Sequence, residues 1–277
     1  MQPLGVLFAL LSALVWGGGD FVGGLAARRS SHSHVLAVSA LSGALILVAC
    51  AGLLREAPRS ARALTWAIPA GLSGAVGIAS LYRGLSLGNA AAIAPTAAVI
   101  GAAVPVIVGV FTEGWPRASQ LAGFFLAIAG IWLVTASSTA VAGLKGGLRL
   151  AVLAGAGFGG FFVFIARVPP GAIFVPLVVA RVVGFCAAVA LFTTHGLPWP
   201  SLTSNPIALA AGVLDASGSM FYVLARQRMR FDVAAVLSSL YPVSTVLLAW
   251  LLLKEQIRLV QWMGVALCFA AVALMTM

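Results

Sequence analysis

Long uncharged runs separated by short polar turns make up almost the whole chain. The run 233–253 carries no charge, and at ~1.5 Å per residue it is long enough for a bilayer core of ~30 Å. It stops at Lys254, Glu255 and Arg258, and 259–275 is apolar again, so the two runs read as spanning helices joined by a polar turn. The same pattern along the chain predicts ten helices, at 3–27, 35–54, 64–87, 90–112, 119–137, 150–166, 172–194, 207–225, 233–253 and 259–275. The first has no Lys or Arg ahead of its apolar core and outruns the apolar region of a signal peptide, so it is expected to be a retained helix. The short turn at Gly88 and Asn89 makes helices 3 and 4 antiparallel neighbours, and His32 and His34 are expected in a polar loop.

The hairpin around helices 9 and 10 has an earlier counterpart. Aligning Glu113 with Glu255 sets Gln120 and Gly123 against Gln261 and Gly264, the same Gln-x-x-Gly spacing after each acid, at an offset of about 142 in a chain of 277 residues. Helices 1 and 6 are both dense in glycine, with Phe158 opposite Trp16, and Tyr82 and Tyr222 stand at matching places near the ends of helices 3 and 8. Halves this similar point to duplication, divided at the Ser- and Gly-rich connection around Lys145 into repeats 1–142 and 143–277. Five helices per half is an odd number, so the repeats enter the membrane in opposite orientations. The prolines do not align: Pro95 and Pro105 lie in helix 4, but Pro242 of helix 9 falls opposite Ile100, so the two helices are expected to bend or break at different depths.

The twice-repeated hairpin with its Glu and Gln-x-x-Gly, together with the opening ALVWGGGDF around Trp16, resembles the EamA-type drug/metabolite transporter superfamily over essentially all 277 residues. That resemblance implies an all-α integral membrane fold of two inverted five-helix repeats. It also implies a central cavity lined from helices 1, 3, 4, 6, 8 and 9. Members resemble exporters and importers of amino acids, other metabolites, nucleotide precursors and drugs, so the resemblance implies no particular substrate.

Composition supports the membrane reading. Hydrophobic residues are 62% and charged residues 8%, against about a quarter charged in soluble domains. A net charge of +10 would suggest nucleic acid for a soluble protein, but here most Lys and Arg lie in turns, where headgroups and topology account for them. With the N-terminus inside, the inner turns collect eight cations (Arg55, Arg59, Arg62, Arg117, Arg167, Arg226, Arg228, Arg230) and the outer turns six (Arg28, Arg29, Lys145, Arg149, Lys254, Arg258). The bias favours both termini in the cytoplasm. The Ala- and Gly-rich composition suggests a bacterial source and hence the cytoplasmic, or inner, membrane. Cys50, Cys186 and Cys268 lie in apolar runs without metal-ligand spacing, and neither they nor His32 and His34 suggest a metal site.

An ionisable group in the hydrocarbon costs ~2.5 kcal/mol or more, so Asp20, Arg83, Arg181 and Asp215 are the candidates for chemistry. Arg83 stands near a helix end, where it is expected to snorkel. Arg181 and Asp215 lie on consecutive antiparallel helices at depths that allow a salt bridge, read either as a structural pair or as a site where Asp215 takes a proton or an amine and Arg181 an anionic group. Asp20 is a second candidate for proton or amine, or a partner of Arg28 or Arg29. Trp16, Tyr82, Phe158, Phe161, Tyr222 and Tyr241 are candidate cavity aromatics. Glu113 and Glu255, with Pro95, Pro105 and Pro242, are expected to be structural or gating.

No zinc-protease, nucleophile-elbow, prenyl-diphosphate or Walker signature occurs, so the chain is read as a non-enzyme without cofactor or metal. The expected function is secondary transport of a small organic metabolite or drug by alternating access, proton-coupled or by exchange. A membrane enzyme acting on lipid and a passive channel are the competing classes. A small-molecule solute, the lipid bilayer and protons are the expected partners; the oligomeric state is not legible.

Overall fold

The computed structural model describes residues 3–27, 29, 32–56, 61–86, 90–135, 144–194 and 205–277, and every regular element among them is helical. The first half contains α1 (Pro3–Ala27), α2 (His32–Leu53), α3 (Ala61–Ser86), α4 (Ala90–Glu113) and α5 (Ala118–Thr135). The second contains α6 (Leu144–Ile165), α7 (Phe174–Thr194), α8 (Pro206–Arg226), α9 (Phe231–Ser238), α10 (Tyr241–Leu253) and α11 (Leu259–Thr276). Among the described residues, eight stretches are long and apolar enough to cross a membrane, with α9 and α10 forming one of them. Two shorter apolar helices, Ala37–Leu53 and Phe174–Ala187, bring the number to the ten expected. The chain is a multi-pass membrane protein.

Several helices begin earlier than the hydropathy suggests. α2 takes in His32 and His34, and α6 takes in Lys145 and Arg149, because a helix continues past the hydrocarbon wherever long or polar side chains reach headgroups and water. The turn at Gly88 and Asn89, Arg28, Arg59 and most of the connection at 137–147 lie outside the described residues, as does the boundary expected after residue 142.

Proline decides the continuity of helix 9. Pro242 has no N–H to give the Ser238 carbonyl, and the backbone turns at Ser239 and Leu240, dividing α9 from α10. The Ser239 N–H still donates to the Ala235 carbonyl at 2.8 Å, and the Val243 N–H to that of Leu240 at 3.0 Å, so the break orphans few groups. α4, by contrast, is not broken: it runs as one helix through Pro95 and Pro105. A membrane helix tolerates such prolines when its neighbours compensate the freed carbonyls.

Helix pairing follows a pseudo-two-fold pattern. α1 on α8 is mirrored by α6 on α3, α2 on α8 by α7 on α3, and α1 on α9 and α10 by α6 on α4, while α2 meets α7 and α5 meets α11. Side chains repeat the symmetry. A Cβ on Gly218 would lie 2.6 Å from Trp16 Cδ1, and one on Gly77 would lie 2.9 Å from Phe158 Cδ1, so each ring occupies the space a missing side chain leaves.

The Gln-x-x-Gly motif is a cap followed by a crossing point. Gln120 Oε1 accepts from the Arg117 N–H at 3.0 Å, and Gln261 Oε1 from the Arg258 N–H at 3.1 Å, each at the start of a helix. One turn later the glycine lets α5 and α11 touch. A Cβ on Gly123 would meet Met275 Cγ at 2.5 Å, and one on Gly264 would meet the Val134 nitrogen at 2.7 Å.

Candidate functional site

The glycine-dense second half of α1 lies between α8 and α10. A Cβ on Gly19 would stand 3.4 Å from the Asp215 nitrogen on α8, and Thr245 of α10 donates its hydroxyl to the Gly17 carbonyl at 3.1 Å. Trp16 and Asp20, one turn apart, therefore share the face of α1 that looks into the bundle. Trp16 shows the direction: its Nε1–H donates to the Asp215 carbonyl at 3.0 Å, and its ring lies edge-on to Phe162 at 5.5 Å and stacked on Tyr222 at 6.3 Å. Asp20 is exposed, and both the Asp215 carboxylate and the Tyr241 hydroxyl lie within its electrostatic range.

Arg181 of α7 and Asp215 of α8 form a direct ion pair through Nη1 and Oδ2. Arg181 Nη2 also donates to Ser219 Oγ at 2.9 Å, and that hydroxyl donates to the Asp215 carbonyl at 3.1 Å. Ser219 follows Asp215 by four residues, so one face of α8 presents carboxylate and hydroxyl together to a single guanidinium. The Asp215 side chain remains 40% exposed and that of Arg181 18%, so the pair borders open space.

The other sequence candidates separate from this group. Tyr222 is fully buried and donates its hydroxyl to the Phe162 carbonyl at 3.0 Å, supporting the aromatic layer beneath Trp16 from the core side. Phe158 lies on Gly77 and approaches Gly101, wedged among α3, α4 and α6. Phe161 packs edge-on to Phe162 at 6.2 Å. Tyr82 falls in α3, and its side chain is outside the described atoms; Arg83 is exposed in the last turn of that helix. Pro242 stands at the start of α10, directly after Tyr241.

Glu113 and Glu255 occupy matched positions in unlike surroundings. Glu113 pairs with Arg226 at 3.3 Å and accepts from the Phe231 N–H at 3.2 Å, at the start of α9. Arg230 closes the junction by donating to the Glu113 carbonyl at 3.0 Å, the Gly114 carbonyl at 2.8 Å and the carboxylate of buried Asp232 at 2.8 Å. The Asp232 hydrogen bond holds Arg230 charged more firmly than a free guanidinium. Glu255 is exposed in the turn after α10, where Trp250 and Trp262 meet edge-on at 5.6 Å.

Glu56 is a residue that neither hydropathy nor motif singles out. It lies in a turn otherwise rich in arginine, yet its carboxylate accepts the N–H groups of Ile173, Phe174 and Val175 at the start of α7, each at 3.0 Å. An acid among basic residues was the signal available, but its partner is more than a hundred residues away. Thus Glu56 caps α7 and Glu113 caps α9, and each ties the first half to the second on one face of the bundle.

Comparison with known proteins follows the same division into halves. The model of the EamA-like transporter family matches residues 3–136 and again 145–277. An uncharacterized transporter of Pseudomonas aeruginosa, PA0485, is 35% identical over 120 residues, which are 41% of this chain and 39% of that protein. The matched stretch thus spans about two fifths of the relative's length. A solved crystal structure superposes with a TM-score of 0.76 over 100% of this chain and 97% of the other, at 21% identity, a likeness of fold. Helix pairing mirrored about a pseudo-two-fold, with one family's signature in each half, assigns this chain to the EamA-like transporter family.

Proposed function

We propose that the protein is a secondary transporter that carries a small organic solute across the cytoplasmic membrane, with both termini in the cytoplasm. The solute binds near the midplane and meets each side in turn as the inverted repeats rock about it. Asp20 and Asp215 receive protons or an amine, Arg181 receives an anionic group, and a proton gradient or solute exchange supplies the driving force.

The observation that carries this reading is the Arg181–Asp215 pair, seated on two spanning helices yet bordering open space. A partly exposed ion pair contributes little to holding two helices together, because solvent competes for each ion. One left partly exposed can exchange its partner for a solute or a proton. The test is solute uptake into proteoliposomes, screening amino acids and other small metabolites with and without a pH gradient, for the wild type and Asp215→Asn. Uptake that follows the gradient in the wild type and loses that response in the variant places Asp215 in the coupling path. Unchanged uptake makes the pair structural and moves the site to Asp20 and the aromatics.

A further inference from the structure

We propose that the transported solute carries a net positive charge and docks its cationic group on Asp20. This rests on the transporter reading and names its substrate class.

The ionisable side chains that α1, α7 and α8 carry around the crossing of α1 with α8 set the sign of the solute. Among the described residues they are two carboxylates, Asp20 and Asp215, and one guanidinium, Arg181. Arg181 is already committed, with Nη1 on the Asp215 carboxylate and Nη2 on Ser219 Oγ. Asp215 and Arg181 cancel, and among the described residues no ion pair is formed by Asp20. The group left without an ionic partner is therefore a single carboxyl, exposed, on α1. The Tyr241 phenol of α10, within electrostatic range of Asp20, adds no positive charge. Asp232 of α9 is occupied by Arg230 at the opposite end of the bundle.

An anionic solute entering this space meets one unpaired carboxylate and a guanidinium it can use only by displacing Asp215. A cation meets an unpaired carboxylate with nothing to displace. Its organic body lies toward the indole of Trp16, one turn away on the same helix face, where an aromatic ring also favours a cation. At ~4 Å and an effective dielectric constant of about 20, one such charge pair corresponds to roughly a thousandfold in affinity before desolvation is subtracted. A tenfold or greater loss is the conservative expectation for removing the charge.

The test uses the full chain in lipid nanodiscs and follows tryptophan fluorescence as phenethylamine, benzyltrimethylammonium, phenethyl alcohol or 3-phenylpropionate is added. The expected result is saturable binding of the two cations, at least tenfold tighter than of the neutral or anionic analogue. Asp20→Asn is expected to lose that preference and Asp20→Glu to keep it, both eluting as the wild type does on size exclusion. Absence of saturable cation binding, equal binding of the anion, or full cation affinity in Asp20→Asn overturns the proposal. Proteoliposome uptake separates the two readings. Transport of an anion without cation binding refutes the cation site and leaves the transporter standing; cation binding at Asp20 without transport of any solute refutes the transporter.

Discussion

Glu56→Ala removes a cap that the first half of the molecule supplies to the second. In the structure one carboxylate accepts three successive N–H groups, from Ile173, Phe174 and Val175, at 3.0 Å each. Losing a capping side chain costs ~0.5–2 kcal/mol, and losing the negative charge from a helix N-terminus costs a further ~0.3–1 kcal/mol. Glu56 is only partly buried, so water recovers some of the N–H groups, and the sum lies near 2 kcal/mol. For a chain of this size that is a fall of roughly 4–8 °C in unfolding temperature. Glu56→Gln keeps an acceptor oxygen and loses the charge, so it is expected about halfway. The assay is thermal unfolding of the purified protein in one detergent, following circular dichroism and loss of the monodisperse peak together. A change below ~0.5 kcal/mol in Glu56→Ala refutes the cap as an energetic contact between the halves.

Two further outcomes follow from packing and backbone. Gly264→Leu introduces a side chain where even a Cβ would stand 2.7 Å from the Val134 nitrogen and 2.8 Å from the Gly130 carbonyl. The cost is ~3 kcal/mol or more, the upper range for overpacking, because backbone rather than a flexible side chain is in the way; lower detergent stability and altered cross-linking between α5 and α11 report it. Lys254 ends α10 in the left-handed region at φ 55°, a position that suits glycine, so Lys254→Gly is expected to stabilise by ~1 kcal/mol in the same melt; a destabilised variant would mean that the lysine's interfacial contacts outweigh the relieved strain.

Glu113 and Glu255 show how far a repeat in the sequence reaches. The sequence paired them, and they do occupy equivalent helix ends, yet Glu113 is half-buried against Arg226 and the start of α9, whereas Glu255 is exposed in its turn. Local sequence is the same kind of information in both cases. What differs is the element folded against each, and an inverted repeat places that element elsewhere in the chain. Trp16 makes the same point: its position in a glycine-rich helix was legible, but its hydrogen bond to the Asp215 carbonyl and its stacking on Tyr222 belong to the crossing of α1 with α8.

Hydropathy and internal repetition alone determined the ten spans, the odd number of helices per half, the Gln-x-x-Gly correspondence and the short set of interior charges. Those features depend on the cost of exposing polar backbone or charge to lipid, which each segment meets or fails by itself. The tertiary structure decided which interior charges neutralise each other, which aromatic rings are sealed in the core and which acids cap distant helices. Arg181 is committed to Asp215 and Ser219, Tyr222 is closed off beneath Trp16, and Glu56 reaches the start of α7. Ion pairs, ring contacts and caps act over a few ångströms between groups far apart in sequence, so only the packing of the two halves brings them within range.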